Sequence, residues 1–284
     1  MEEKYLDILN ETKFIMKKYN ITANKSLGQN FLIDEDVILN TIKSANIGKE
    51  DLVIEIGPGL GTLTNELVKN AGKVICVELD KKMIQILKDR FMLFDNIEII
   101  NDDILKIDLN KLIDKEKYPN VKIVANLPYY ITTPIIMKLL ETRADFESIT
   151  VMVQKEVADR LCAKTGTREA GAITYGVEYY SEATKLFIVP NTSFIPSPNV
   201  ESEVIKLKIK KEKRKDVKDE DKLFKIIKYA FMQRRKTLMN ALQNSEIGID
   251  KEELKKVLNT LGIDERVRGE ALTLEDFINI TNLL

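Results

Sequence analysis

The chain has 284 residues, of which 44% are hydrophobic and 31% charged, and its formal net charge at pH 7 is −1. This composition is typical of a globular protein with a full core, and the length suits about two domains. The sequence contains no histidine, which excludes Ser-His and Cys-His nucleophile pairs, His-ligated zinc and an imidazole general base. We therefore expect chemistry that needs little acid–base help, and no metal site.

The N-terminus, the apolar runs and the cysteines all favour a protein of the cytoplasm. The start, Met1-Glu2-Glu3-Lys4, is too acidic for a signal peptide. No apolar run approaches the ~18 residues that span a bilayer. Cys76 and Cys162 both lie in apolar patterns, so we expect two reduced, buried thiols.

Periodic patterns predict an N-terminal helix over residues 3–19, then a glycine-containing loop over 25–34, with Asp34 as the N-cap of a helix at 35–45. Strands and helices then alternate. The strands are predicted at 52–56, 73–79, 97–100, 121–125 and 148–153, and the helices at 62–70, 81–91, 133–141 and 155–164. This alternation is typical of a parallel sheet with helices on both faces.

The pattern then changes to strands without helices, and finally to helices alone. Two strand-like stretches, 183–189 and 203–209, are joined by a proline-rich loop, which predicts an antiparallel pair at the sheet edge. A charged run follows and predicts the end of an α/β domain over residues 1–210. Helical periodicity dominates the rest and predicts a small all-helical domain over 211–284, with helices at 222–232, 236–242, 251–261 and 274–284.

A glycine-rich loop, EIGPGLG at residues 55–61, follows the first buried strand and opens a helix. Gly57 and Gly59 would let the backbone approach a ligand closely, and the helix N-terminus behind them offers free N–H groups. The spacing G-x-G-x-G differs from the G-x-G-x-x-G of dinucleotide-binding folds. It favours a nucleoside that carries a carboxylate tail, and a purely structural turn is the alternative.

Acidic residues follow the next two predicted strands. Glu78 lies near the carboxyl end of the second strand, where a carboxylate can accept hydrogen bonds from the ribose hydroxyls of a nucleoside. Asp103 follows the third strand and can accept from an adenine amino group, with Ile104 packing on the ring. The alternative is that these carboxylates are solvated surface or turn residues.

The fourth predicted strand leads into Asn126-Leu127-Pro128-Tyr129. The Asn126 amide oxygen and the Leu127 carbonyl can both accept from an exocyclic amino group, and the ring of Tyr129 can stack on a base. A strand-to-helix turn that contains proline is the alternative. Together with the glycine loop, the tetrapeptide predicts methyl transfer to an adenine, because a sulfonium donor has a neutral leaving group and needs little acid–base help.

The C-terminal half adds two features that suit a nucleic-acid substrate. Phe194 lies in the proline-stiffened loop 190–198, where its ring is either a second stacking wall for a base or simply packed. Residues 206–236 hold fourteen Lys or Arg against five Asp or Glu, and Arg234 and Arg235 suit phosphate contacts. A solvated basic linker is the alternative. An unpaired RNA loop would present a base at low cost.

These segments resemble, in order, the motifs of the small-subunit rRNA adenine N6,N6-dimethyltransferases of the KsgA type, over about residues 24 to 280: KSLGQNFLID, EIGPGLGTLT, VELD, NDDIL, NLPYYITTP, FIPSPNVESEVI and QRRKTLMNAL. The resemblance implies a Rossmann-like class I methyltransferase sheet and S-adenosyl-L-methionine as the cofactor. It also implies dimethylation of two adjacent adenosines in the 3′-terminal hairpin loop of 16S rRNA and a role in small-subunit biogenesis.

The resemblance also implies roles for individual residues and domains. The cofactor would bind at Asn30, Leu32, Gly57, Glu78, Asp103 and Asn126. Gly59 and Ile104, which the residue patterns assign to the same site, complete the predicted set. The target base would be held by Asn126, Leu127, Tyr129 and Phe194. Two positions depart from the family pattern, since Tyr130 stands where many bacterial members have Asn and Gly269 where Ala is commoner. Residues 1–210 would form the catalytic domain and 211–284 the rRNA-binding domain of a monomer that acts on the immature 30S subunit, without membrane or DNA partners.

Three other functions compete with this interpretation. A macrolide-resistance methylase that modifies one adenine of 23S rRNA shares the glycine loop, the tetrapeptide and a helical second domain. A mainly non-catalytic assembly factor of the 30S subunit would bind the same particle without needing the donor site. A DNA adenine methylase fits less well, because such enzymes usually carry two prolines in the tetrapeptide.

Overall fold

The computed structural model describes residues 7–24, 28–212, 214–243 and 245–284. The first turn of the predicted N-terminal helix and the KSL start of the predicted 25–34 loop lie outside the described residues. The chain divides into two compact units. One comprises the chain up to Ala158 together with Thr184–Ile209, and the other comprises Asp159–Ala183 together with Lys210–Leu284.

Helices and strands alternate through the first part of the chain, as the periodicity predicts. The helices are α1 (Ile8–Lys18), α2 (Glu35–Ala45), α3 (Thr62–Asn70), α4 (Lys81–Arg90), α5 (Thr132–Glu141) and α6 (Lys155–Leu161). The strands are β1 (Phe31–Leu32), β2 (Asp51–Ile56), β3 (Lys73–Glu78), β4 (Ile97–Asn101), β5 (Asn120–Asn126), β6 (Ser148–Gln154), β7 (Ser181–Val189), β8 (Phe194–Ile195) and β9 (Ser202–Ile209).

A seven-stranded sheet with the order β4-β3-β2-β5-β6-β9-β7 forms the centre of this fold. Strand β2 pairs in parallel with β3 and β5, β3 with β4, and β5 with β6, whereas β9 runs antiparallel to β6. Every residue of β2 is buried, as a parallel strand covered on both faces requires. The predicted α/β class, a mostly parallel sheet with an antiparallel edge, is confirmed.

A second sheet, which the sequence pattern did not predict, consists of the two short strands β1 and β8. They pair antiparallel, with Leu32 opposite Phe194. Asp34 strengthens the connection, because one of its carboxylate oxygens accepts from Val37 N at 3.2 Å as the predicted N-cap of α2 and the other accepts from the Ser193 hydroxyl at 2.6 Å. The loop before α2 is therefore held against the proline-rich loop.

The second unit is helical and contains α7 (Ala172–Tyr180), α8 (Glu220–Met232), α9 (Leu238–Gln243), α10 (Lys251–Thr260) and α11 (Leu274–Leu283). Tyr175 of α7 is fully buried, and its ring lies 5.3 Å from that of Phe231 and 5.2 Å from that of Phe277. Its hydroxyl donates to the Leu272 carbonyl at 2.5 Å. These contacts group α7 with the C-terminal helices, although the sequence pattern assigned it to a domain over residues 1–210.

The structure tests the predicted burial of the two cysteines and the predicted lack of a membrane-spanning helix. Cys76 is buried, as predicted, whereas Cys162 is only partly buried. In the part of the chain that the structure describes, none of the helices combines the length and the hydropathy needed to cross a bilayer.

Candidate active site

A cavity of the first unit opens at the carboxyl ends of β2, β3 and β5 and has a volume of about 990 Å³ including its mouth. Strand order reverses between β2 and β5, since the chain builds outward from β2 to β3 on one side and from β5 to β6 on the other. Ligands of open parallel sheets bind at such a reversal. Ten of the eleven residues predicted for the site line this cavity: Asn30, Leu32, Gly57, Gly59, Glu78, Asp103, Ile104, Asn126, Leu127 and Tyr129.

The glycine loop after β2 has a backbone that only glycine adopts easily. Gly57 and Gly59 have φ values of +64° and +56°. A Cβ added to Gly57 would lie 3.7 Å from the ring atoms of Pro128, which belongs to the tetrapeptide after β5. The glycine loop and the tetrapeptide are therefore neighbours across the strand reversal, although 71 positions separate Gly57 from Pro128.

Glu78 is held in place by the backbone on two sides. One carboxylate oxygen accepts from Gly59 N at 3.1 Å and the other accepts from Asp80 N at 2.8 Å. Burial raises the pKa of Glu78, and the two backbone hydrogen bonds partly oppose this shift. Because a carboxylate oxygen has two lone pairs, each oxygen can accept a second bond from a ligand hydroxyl. This geometry suits a ribose.

Glu55 is a cavity residue to which the sequence analysis gave no role. It is 2% exposed and accepts from the Thr64 hydroxyl at 2.6 Å. Burial, the dominant cause, raises the pKa of Glu55 to about 7, and the hydrogen bonds from Thr64 and Cys76 lower it. An acidic residue within the otherwise apolar run LVIEI was the available signal.

The segment that follows β4, residues 102–104, also lines the cavity. Asp103 lies at the cavity with one carboxylate oxygen accepting from Leu105 N at 3.0 Å, and Ile104 is 6% exposed. This local hydrogen bond is that of an Asx turn, and it fixes the orientation of the Asp103 carboxylate. Asp102 lines the cavity as well, so the geometry leaves both aspartates within reach of a ligand.

The tetrapeptide after β5 presents its acceptors to the cavity. The Asn126 amide nitrogen donates to the Asn30 carbonyl at 3.3 Å, which leaves the amide oxygen free to accept. Leu127 is anchored by its own N–H, which donates to the Met152 carbonyl at 3.1 Å. Among the described residues, none donates to the Leu127 carbonyl. Two unused acceptors therefore lie next to each other at the end of β5.

Two consecutive tyrosines, the last residue of the tetrapeptide and the one after it, line the cavity and differ in exposure. Tyr129 is half-buried, and its hydroxyl lies 2.6 Å from the Ser202 hydroxyl oxygen. Burial raises the pKa of Tyr129, so its phenol is neutral at physiological pH. Tyr130 is 51% exposed at the same cavity.

The segment before α2 covers the cavity from the N-terminal side. Asn30 and Leu32 line it, and a Cβ added to Gly28 would lie 3.3 Å from the Tyr130 ring. The Gln29 amide donates to the Asp80 carboxylate at 3.1 Å. No sequence pattern had indicated Gln29. Its bond to Asp80 connects this segment to the loop that follows β3.

Phe194 is the predicted residue that does not line the cavity. It is 3% exposed, pairs with Leu32 through strand β8, and belongs to the apolar core that includes Met152 and Val204. In this position it packs in the same buried cluster as Leu32, which does line the cavity. The stacking role stays a prediction that requires the ring to leave the core.

The basic residues of the second unit are partly neutralised by carboxylates. Arg214 pairs with Asp216 at 2.6 Å and with Glu275 at 2.7 Å. Arg234, predicted for phosphate contacts, pairs with Glu270 at 2.6 Å. Arg235 is exposed. Some of the positive charges in residues 206–236 are therefore paired within the protein, and fewer of them are available to a phosphate backbone than the sequence count indicates.

Comparisons with known proteins agree with this geometry. A family model described as Ribosomal RNA adenine dimethylase matches residues 20–284. The chain is 48% identical over 276 residues to the Ribosomal RNA small subunit methyltransferase A of Alkaliphilus oremlandii, and the match covers 96% of each chain.

Solved structures give the same picture at the level of the fold. The dimethyladenosine transferase from Plasmodium falciparum is similar with a TM-score of 0.72 at 27% identity, and the match covers 88% of this chain and 95% of that one. The 23S rRNA methyltransferase ErmE is similar with a TM-score of 0.65 at 22% identity, over 90% of this chain and 99% of that one. At that identity the second similarity concerns the fold alone.

Proposed function

Because this chain belongs to the ribosomal RNA adenine dimethylase family, we propose that it dimethylates N6 of two adjacent adenosines in the 3′-terminal hairpin loop of 16S rRNA. The methyl groups come from S-adenosyl-L-methionine. One observation carries the proposal: the glycine loop and the tetrapeptide, which suit a nucleoside cofactor and an adenine, line a single cavity.

The cavity residues fit this cofactor. Gly57 and Gly59 leave room along the backbone, the second lone pairs of Glu78 suit the ribose hydroxyls, and Asp103 with Ile104 suits the adenine ring. Asn30, Leu32 and Asn126 would close the site around the amino-acid tail. The cofactor supplies an electrophilic methyl group on a sulfonium whose leaving group is neutral.

The residues of this chain orient the target nitrogen. The Asn126 amide oxygen and the Leu127 carbonyl accept the two N–H bonds of the adenine amino group, which directs its lone pair toward the methyl carbon. The Tyr129 ring stacks on the base, a contact worth ~1–3 kcal/mol. Each transfer leaves N6 with one extra proton, which passes to solvent and restores the lone pair. One N–H then remains for an acceptor after the first transfer, so the same geometry serves the second. Catalysis then rests on positioning rather than on a titrating side chain.

The proposal is tested with methyl-labelled donor and ribosomal particles from a strain that lacks this dimethylation. We expect label in 16S rRNA of small subunits, none in 50S particles, and two adjacent N6,N6-dimethyladenosines in a mass spectrum of the labelled fragment. Label found only in 23S rRNA would replace the proposal with the macrolide-resistance type. Tight binding to small subunits without any label would favour a non-catalytic assembly factor.

The setting of the reaction is also part of the proposal. We propose a monomer that acts in the cytoplasm on the immature 30S subunit, with the first unit catalytic and the second unit in contact with rRNA. The exposed Arg235 supports the second assignment. Sedimentation of the free protein tests the monomer, and parallel assays on immature and mature 30S particles test the preference for the immature one.

A further inference from the structure

Ser202 is a fully buried residue whose hydroxyl contacts Tyr129, a residue that lines the candidate active site. It is the first residue of β9 and pairs with Gln154, the last residue of β6. Because β9 runs antiparallel to β6, the beginning of β9 lies at the edge of the sheet where the parallel strands end. The antiparallel strand thus brings a hydroxyl to the edge that carries the chemistry.

This hydroxyl has one partner on the cavity wall. The Ser202 and Tyr129 hydroxyl oxygens are 2.6 Å apart, a short distance for two neutral hydroxyls. Tyr129 follows Pro128 and begins a single 3₁₀ turn, Tyr129–Ile131, and the hydrogen bond of its hydroxyl that the described residues show is the one with Ser202. The contact with Ser202 therefore fixes the far end of the ring.

The neighbouring tyrosine shows the difference that such a contact makes. Tyr130 lines the same cavity and is 51% exposed, and no hydrogen bond of its hydroxyl is found among the described residues. Tyr129 is only half-buried, yet its hydroxyl is held by a residue with no exposed surface. Of the two rings, Tyr129 is the one whose orientation is set before a base arrives.

We propose that Ser202 is a positioning residue, which holds the Tyr129 ring at the angle needed to stack on the target adenine. The inference rests on the proposed function, in which Tyr129 meets that base. Holding the ring in advance lowers the entropy lost on binding, which is the usual benefit of a preorganised contact. Ser202 acts only through Tyr129 and touches neither donor nor base.

The test is a double-mutant cycle with Ser202→Ala, Tyr129→Phe and the combination, assayed on unmethylated small subunits. Each single variant removes the same hydrogen bond from one side. We expect kcat/KM to fall about two- to tenfold in each, the range of one net hydrogen bond, and the double variant to be no worse than either single. Additive losses would overturn the proposal. If Ser202→Ala fails to fold, Tyr129→Phe alone still tests the bond.

Ser148→Ala is the matched control. Ser148 lies at the other end of the same strand pair, opposite Lys208, and its buried hydroxyl has no partner in the described part of the chain. The Ser148→Ala variant therefore loses a buried hydroxyl, as Ser202→Ala does, but loses no contact with a residue of the cavity. We expect unchanged kcat/KM for this variant, and unchanged affinity for S-adenosylmethionine in calorimetry for all four. A loss of donor affinity in Ser202→Ala would assign it a general structural role and overturn the proposal.

A fluorescence measurement separates the inference from the proposed function. The probe is an RNA hairpin of the 16S 3′ end with 8-vinyladenosine at the first target position, which keeps the 6-amino group and whose emission is quenched by stacking. We expect the wild-type protein to quench it and Ser202→Ala to leave the bound probe brighter. Quenching by the wild type without methyl transfer to small subunits would refute the proposed function and leave the stack intact. Equal quenching by both proteins would refute the role of Ser202.

Discussion

At the scale of single residues, the candidate site depends on acceptors that are free because their neighbours are occupied. The Asn126 amide nitrogen is used by the Asn30 carbonyl, and the Leu127 N–H is used by the Met152 carbonyl. The amide oxygen and the Leu127 carbonyl remain for a ligand. Because the donors are used within the protein and two acceptors remain, the end of β5 suits a ligand amino group, which donates two hydrogen bonds.

Replacing Asn126 tests that division. We expect Asn126→Ala to lower kcat by about 100-fold or more, the order found when one preorganised polar contact of a transition state is lost. Affinity for S-adenosylmethionine, measured by calorimetry, should be largely kept. Asn126→Asp keeps an acceptor oxygen and should retain more activity than the alanine variant. Loss of donor affinity and transfer together would mean that Asn126 serves the donor or the fold rather than the target nitrogen.

Glu55 makes stability depend on pH. Its folded-state pKa of about 7 lies above its ordinary value of 4.5, so the folded state keeps a proton that the unfolded state loses. The contribution is therefore fully present below pH 4.5 and is lost as the pH rises through 7. It amounts to up to about 3 kcal/mol. Burial shifts Glu78 in the same direction.

Urea unfolding at pH 5 and pH 8 measures this dependence. We expect the free energy of unfolding of the wild type to be lower at pH 8 than at pH 5. Glu55→Gln should show a smaller difference, because glutamine does not titrate and its oxygen can still accept from the Thr64 hydroxyl. An unchanged difference in the variant would show that Glu55 is charged in the folded protein at both pH values.

At the scale of elements, close packing explains a departure from the family pattern. Gly269, where Ala is commoner, begins the short 3₁₀ turn Gly269–Ala271. A Cβ added there would lie 2.8 Å from the Ala230 Cβ on α8, closer than side chains pack. The turn and the helix are therefore nearer than alanine at position 269 allows.

Gly269→Ala tests this contact. We expect the free energy of unfolding to fall by ~1–3 kcal/mol, the usual cost of overpacking, because Ala230 cannot move without its helix. Gly48→Ala is the control, since a Cβ there would meet only the Asp51 carboxylate at an ordinary 3.8 Å. Urea denaturation of both variants measures the difference. Equal stability of the two would indicate that α8 shifts freely.

At the scale of the whole molecule, each of the two units has its own buried core. The first unit contains the cavity and the sheet, and its α/β class follows from the alternating periodicity, whereas the order of its strands was decided by the tertiary structure. The second unit contains α7 in addition to the four predicted helices, because the buried Tyr175 packs on Phe231 and Phe277. Its basic surplus is partly neutralised within the unit, for example at Arg214.

The sequence by itself determined the seven strands of the large sheet and the glycine loop, because periodicity and turn chemistry are local properties. Side-chain chemistry indicated eight of the ten predicted cavity residues, and the resemblance to a known family added Asn30 and Leu32. Contacts between distant residues were decided only by the tertiary structure. The β1–β8 pair, the burial of Phe194 and the bond between Tyr129 and Ser202, 73 positions apart, all required the fold. No local pattern encodes such a contact, because it exists only after packing has brought two separate strand ends to one edge of the sheet.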